Sequence, residues 1–221
     1  MTSEQEPLDP AEMLALVEDQ QSSIQGQKGA FVPLILLAWG IAWLVGFGAL
    51  WLIDGPGAAF SLPIWVAAPV FVAVLVAAGV LSSVLGIRSG RGMRGGRDAA
   101  FVGMVYGQSW WVGSLAIFAL GQGLVFNGMD PDLLRILYPS AYVFFAGVMY
   151  VMGAALWRAI PMLVLGGWSI VVSAVAPFFQ YPNHFLVFAL AGAGGFLIAA
   201  MWSWIWIRGA RRRLVRARAH E

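Results

Sequence analysis

The sequence has no cysteine, two histidines and thirteen basic residues, of which only Lys28 is a lysine. Without cysteine the chain can form no disulfide framework, thiolate metal site or cysteine nucleophile. Because His220 lies in the C-terminal tail, His184 stands alone and cannot supply bis-histidine haem ligation. Lys28 precedes the first apolar run, so no lysine is placed for a Schiff base inside a helix bundle.

Charge is also scarce. Charged residues make up 11% of the 221 residues and hydrophobic residues 60%, with a mean hydropathy of +0.79. A soluble domain averages about 25% charged and about 45–50% apolar. This composition excludes a disordered chain, a coiled coil and an ordinary soluble domain. It predicts an integral membrane protein.

Six apolar stretches are long enough to cross a bilayer as helices of about 20 residues. They are residues 31–53, 62–86, 107–127, 133–157, 159–179 and 185–207. The stretches are apolar all round rather than alternating with period two, which argues against barrel strands. The predicted fold is therefore all-α, a polytopic membrane protein with six transmembrane helices over residues 31–207.

Basic residues collect on one side of this predicted topology. Twelve of the thirteen flank spans on the side of both termini, and Arg135 alone lies on the other side, beside Asp54, Asp130 and Asp132. Since basic residues are enriched in cytoplasmic loops, both termini are expected in the cytoplasm of a bacterium, with the chain multi-pass in the inner membrane. Residues 208–221 form a basic cytoplasmic tail.

The first 30 residues form an acidic cytoplasmic tail. Asp9, Pro10 and Glu12 give the pattern of a helix N-terminus, which predicts an amphipathic helix over residues 10–25 that ends near Gly26 and Gly29. Its negative charge favours a protein partner or the chain's own basic segments over lipid alone. The candidate docking residues are Met13, Leu14, Val17, Arg91, Arg94 and Arg97. Alternatively, the arginines only set topology and contact anionic headgroups.

The central parts of the spans hold no ionisable residue, and no catalytic set of residues can be found. The sequence therefore predicts no enzyme, no cofactor and no metal site. The glycine- and arginine-rich segment 90–97 lacks the Gly-Lys-Ser/Thr of a phosphate-binding loop. It also lacks the aromatic residues that single-stranded nucleic acid would need, so nucleic acid is not an expected partner.

Uncharged polar and indole groups are the remaining candidates within the spans. A buried amide or indole N–H must find a hydrogen bond in hydrocarbon, and Trp39, Trp43 and Trp168 are expected to face the bundle interior. Together with Gln122 and Ser114 they either join helices or line a path for a polar or amphiphilic solute.

Six spans, cytoplasmic termini and an amphipathic helix before the first span resemble the membrane half of ATP-binding-cassette export permeases. The resemblance implies that the first helix lies along the cytoplasmic face and contacts an ATPase. The leading expectation is a transport protein or permease subunit for an apolar or amphiphilic solute, as a homodimer or with a partner protein such as a separate ATPase subunit. The alternative is a non-transporting membrane scaffold or regulatory partner of another membrane protein.

Overall fold

A computed structural model describes residues 9–55, 57, 60–90 and 97–218, and for residues 10–30, 89–90 and 210–218 it describes the backbone only. The described part is helical and contains no strand, as predicted. Its α-helices are α1 (Pro10–Trp51), α2 (Ile64–Gly90), α3 (Arg97–Phe126), α4 (Leu134–Trp157), α5 (Ile160–Val175), α6 (Asn183–Val187) and α7 (Ala193–Arg218). Two 3₁₀ turns, Pro131–Leu133 and Ala176–Phe179, and a π-helical segment, Phe188–Gly192, complete it.

The six predicted spans are confirmed. Six stretches of helix are long and apolar enough to cross a membrane: Phe31–Trp51, Ile64–Arg88, Arg97–Phe126, Pro131–Trp157, Ile160–Phe179 and Asn183–Gly209. The sixth combines α6, the π-helical segment and α7. Each starts and ends within a few residues of its prediction, except the third, which begins ten residues earlier. We call the end of the bundle that carries both chain termini the terminal end, and the opposite one the distal end.

The predicted break between the N-terminal helix and the first span is wrong. α1 is one helix of 42 residues, and it passes through Gly26 and Gly29. A glycine ends a helix where its backbone turns left-handed, but the described glycines with positive φ are Gly57 and Gly128. Met13, Leu14 and Val17 lie outside the residues whose side chains are described.

Helix packing follows an open order rather than a closed ring. α1 packs against α2 on one side and against α7 and the π-helical segment on the other, while α4 packs against α5 and also carries α3. The α4–α5 pair is so close that a Cβ added to Gly166 would lie 2.7 Å from the carbonyl oxygen of Gly147. Small residues let helix backbones approach in this way inside a membrane.

Aromatic side chains form the centre of the core. The ring of Trp43 lies 5.0 Å from that of Phe196, and the ring of Phe47 lies 5.0 Å from that of Phe188, measured between centroids. All four are buried. Trp43 also covers Gly192, where an added Cβ would lie 2.7 Å from the indole ring. The core therefore joins α1 to the sixth span and leaves α2 and α3 at the two outer edges.

Candidate functional site

A groove lies between the α1–α2 pair and the α3–α4 pair. Its cavity volume is about 960 Å³. Aromatic residues dominate its lining: Trp39, Trp43, Phe47, Phe71, Trp110, Tyr138, Tyr142, Phe145, Tyr181 and Phe185. We call this space the aromatic groove.

The aromatic groove extends from the distal end to about the middle of the bundle. On α1 its lining starts at Trp39 and reaches Leu50, and Asp54 in the following turn also lines it. At a rise of 1.5 Å per residue, Trp39 to Leu50 spans about 16 Å. This depth is close to the hydrocarbon thickness of one membrane leaflet, about 15 Å.

Two indole rings, those of Trp39 and Trp110, lie at the inner end of the groove lining, which we call the floor. The Trp39 Nε1–H donates a hydrogen bond to Ser82 Oγ at 2.9 Å, and the Ser82 hydroxyl donates in turn to the Ala78 carbonyl at 2.8 Å. Trp110 makes an edge contact with Phe145, at 5.7 Å between ring centroids. The first contact joins α1 to α2 and the second joins α3 to α4, so each holds an indole ring within its own wall of the groove.

Two tyrosines of α4 fix the wall that α3 forms. The Tyr138 hydroxyl accepts a hydrogen bond from Gln122 Nε2 at 2.8 Å and donates to the Phe118 carbonyl at 3.0 Å. The Tyr142 hydroxyl donates to the Ser114 carbonyl at 3.2 Å. Because α3 packs mainly on α4, these hydrogen bonds fix the position of α3 relative to α4.

Polar groups at the distal end form the mouth of the groove. The Tyr181 hydroxyl donates a hydrogen bond to the Asp54 carboxylate. The Arg135 guanidinium carbon lies 5.3 Å from the centroid of the Tyr181 ring, and it also forms an exposed ion pair with Asp132 at 3.2 Å. Burial raises the pKa of the Tyr181 phenol, and the hydrogen bond to Asp54 raises it further. Tyr181 is therefore neutral at physiological pH and remains a donor.

His184 fixes the backbone beneath this mouth. Pro139 has no N–H, so α4 cannot make the usual hydrogen bond from residue 139 to the carbonyl of Arg135. His184 Nε2 lies 2.9 Å from that oxygen and donates to it, while Nδ1 lies 3.3 Å from the Gln180 carbonyl. His184 is 0% exposed. A proline in one span and a histidine in another thus place Arg135 at the mouth.

Apart from Trp168 and the residues of the N-terminal helix, the predicted site residues divide into three groups. Trp39, Trp43 and Ser114 line the aromatic groove, and Trp43 is buried as expected. Gln122 lies outside the lining and supports it through Tyr138. Arg97 is exposed at the start of α3, whereas Arg91 and Arg94 lie outside the described residues.

The expectation that Trp168 faces the bundle interior is wrong. Its side chain is 43% exposed and lies on the opposite side of the bundle, in an apolar depression of about 680 Å³ between α5 and α7. Its Nε1–H donates to the Ala191 carbonyl at 2.8 Å. Ala191 belongs to the π-helical segment, whose altered hydrogen bonding makes a carbonyl available at the surface. The Trp168 indole N–H therefore has a hydrogen-bond partner although the side chain is not buried.

The sequence pattern gave no indication of a role for Tyr181, or that charged residues near the distal end would meet at one site. Asp54 and Arg135 are 81 positions apart in the chain, so no local motif could join them. Among the described residues, no group of three or more histidines or acids is arranged to hold a metal ion. The arrangement can hold an elongated apolar molecule by burial and a polar group by hydrogen bonding at the mouth.

The fold and the groove together define a multi-pass α-helical membrane protein. Searches of protein-family models, curated proteins and solved structures find no match to the chain.

Proposed function

We propose that this chain is an integral membrane transport protein or a permease subunit, and that the aromatic groove holds its solute, an apolar or amphiphilic molecule. The observation that carries the proposal is the lining of the groove, which runs from polar groups at the distal end to aromatic and aliphatic side chains at its inner end. The two charged side chains of the lining, Asp54 and Arg135, both lie at the mouth. A solute with an apolar body and a polar end fits this distribution.

Movement of the solute would require the groove to change shape. α2 packs on α1 and α3 packs on α4, so the two walls belong to different parts of the bundle. Rotation of the α3–α4 pair away from α1 and α2 would open the floor at Trp39 and Trp110. Such rigid-body motion of packed elements is a common form of alternating access.

The proposed setting is the inner membrane of a bacterium, with both termini in the cytoplasm and the distal mouth facing outward. The asymmetry of basic residues supports this orientation. The proposed assembly is a homodimer or a complex with a partner such as a separate ATPase subunit, which would dock at the terminal end near Arg97.

The alternative proposal is a non-transporting scaffold or regulatory partner. One observation favours it, the apolar depression between α5 and α7, which exposes Trp168, Ile198 and Trp202. A helix of another membrane protein could pack there against the small residue Gly194, where an added Cβ would meet open space.

Filling the groove tests the transport proposal. Ala68 of α2 lines the groove, whereas Ala73 of the same helix is exposed outside the lining. In proteoliposomes, Ala68→Phe should abolish protein-dependent movement of a dithionite-bleachable fluorescent amphiphile, while Ala73→Phe should leave it unchanged. Equal rates in the two variants would refute the groove as the solute site. Absence of protein-dependent movement in the wild type would favour the scaffold.

A further inference from the structure

We propose that the mouth of the aromatic groove is a seat for a zwitterionic phospholipid headgroup from the membrane, with one acyl chain of that lipid lying in the groove. This inference rests on the proposed function, because it takes the groove as the solute site, and it names the class of solute.

Two opposite charges lie beside Tyr181 at the mouth. Both Asp54 and Arg135 contact Tyr181, one at its hydroxyl and the other over its ring. Among the described residues Asp54 and Arg135 form no ion pair with each other. The ion pair of Arg135 is with the exposed Asp132. A carboxylate accepts several hydrogen bonds and a guanidinium carries five N–H donors, so both keep capacity for a ligand. A headgroup with an ammonium and a phosphate matches this acid and this base together.

The balance of charge around the mouth is towards carboxylates. Asp54, Asp130 and Asp132 lie near the distal end, and Arg135 is the basic residue among them. An anionic headgroup without an ammonium would bring its charge to this excess of carboxylates, which is unfavourable. A cation without a phosphate would offer no anionic group to the Arg135 guanidinium. Charge complementarity therefore favours the zwitterion over either single charge.

The depth of the groove suits an acyl chain. The stretch of α1 from Trp39 to Leu50, about 16 Å long, matches a leaflet of about 15 Å. One acyl chain extended from a headgroup at Asp54 and Arg135 would reach the floor at Trp39 and Trp110. Its surroundings there are aromatic and aliphatic side chains, so burial of the chain needs no polar partner.

The test measures lipid binding rather than transport. Binding of dioctanoyl phosphatidylethanolamine, dioctanoyl phosphatidylglycerol and an octyl trimethylammonium amphiphile to the detergent-solubilised full chain is followed by native mass spectrometry. The variants are Asp54→Asn and Arg135→Gln. The matched controls are Asp98→Asn and Arg158→Gln, which change exposed charges outside the groove lining.

The wild type should prefer phosphatidylethanolamine over phosphatidylglycerol by about tenfold, as expected for one charge-assisted contact. Asp54→Asn should abolish that preference, whereas Arg135→Gln should weaken binding of both phospholipids without weakening binding of the cationic amphiphile. The controls should behave as wild type. Equal binding of the three amphiphiles, or equal effects of Asp98→Asn and Asp54→Asn, would overturn the headgroup seat.

The groove-filling variant separates the two proposals. If Ala68→Phe stops amphiphile movement while Asp54→Asn and Arg135→Gln keep the wild-type lipid preference, the headgroup assignment is wrong and the groove remains the solute site. If Ala68→Phe leaves phosphatidylethanolamine binding unchanged, the acyl chain does not lie in the groove. That result overturns the inference whatever the movement assay shows.

Discussion

The hydrogen bond between His184 and the Arg135 carbonyl makes a sharp prediction about folding. Pro139 removes the N–H that would normally bond to this carbonyl, and His184 Nε2 replaces it at 2.9 Å. Replacing His184 with Leu removes the donor and leaves the Arg135 carbonyl without this hydrogen bond. Replacing Pro139 with Ala restores an N–H within α4. Each change should therefore alter the effect of the other.

The magnitude follows from the cost of an unsatisfied carbonyl. A buried polar group that loses its partner costs about 1–3 kcal/mol, and hydrogen bonds between membrane helices average about 0.6 kcal/mol. We expect His184→Leu to be about 1 kcal/mol more destabilising with Pro139 present than in the Pro139→Ala background. Changes in ring volume and helix kinking cancel in this comparison, since they occur in both backgrounds.

The assay is reversible unfolding of the four proteins by sodium dodecyl sulfate in mixed micelles, followed by circular dichroism. His184→Gln serves as a control, because its amide can still donate and should retain part of the stability. A coupling energy within about 0.3 kcal/mol of zero, the usual error of additivity, would refute the claim that His184 compensates for Pro139.

Three further predictions concern packing and protonation. Gly166→Val should destabilise the fold by about 1–3 kcal/mol or more, because a Cβ there would lie 2.7 Å from a backbone oxygen of α4; Gly167→Val, which meets open space, should be tolerated in the same unfolding assay. Tyr138→Phe should cost more stability than Gln122→Leu, since the phenol makes both hydrogen bonds to α3; equal costs would contradict this. The pKa of Tyr181 is raised above its ordinary 10.0. The stability that the protonated Tyr181 phenol contributes to the fold should therefore be complete below pH 10 and lost as the pH rises through the raised pKa. Unfolding curves of wild type and Tyr181→Phe should therefore differ at pH 8 and converge in strong alkali.

The spans could be predicted from the sequence because length and hydropathy are sufficient for them. A helix must satisfy its own backbone in lipid, so an apolar run of the right length has little choice of structure. Trp43 was predictable for a related reason, since a large apolar ring with one N–H gains most from burial. The continuity of α1 through Gly26 was not predictable in this way, because glycine allows a helix end without requiring one.

The mouth of the groove could not be predicted, because it depends on tertiary packing. Asp54 and Tyr181 lie in two separate connections and Arg135 in the first turn of α4, and each reads as a solvated residue in isolation. Trp168 shows the opposite error. Its N–H was expected to require the interior, but the π-helical segment offers the Ala191 carbonyl at the surface. Departures from α-helical hydrogen bonding leave little trace in an apolar sequence.

The absence of cysteine gives a direct test of the central claim, that the aromatic groove is open at the distal end and holds an amphiphile. Ser114→Cys places one thiol in the groove lining, and Ser173→Cys places one at a buried position. A membrane-impermeant maleimide applied to the distal face of oriented membranes should label Ser114→Cys and leave Ser173→Cys unlabelled. Short-chain phosphatidylethanolamine should slow the labelling. Failure to label Ser114→Cys from that face, or a rate unchanged by the lipid, would contradict the claim.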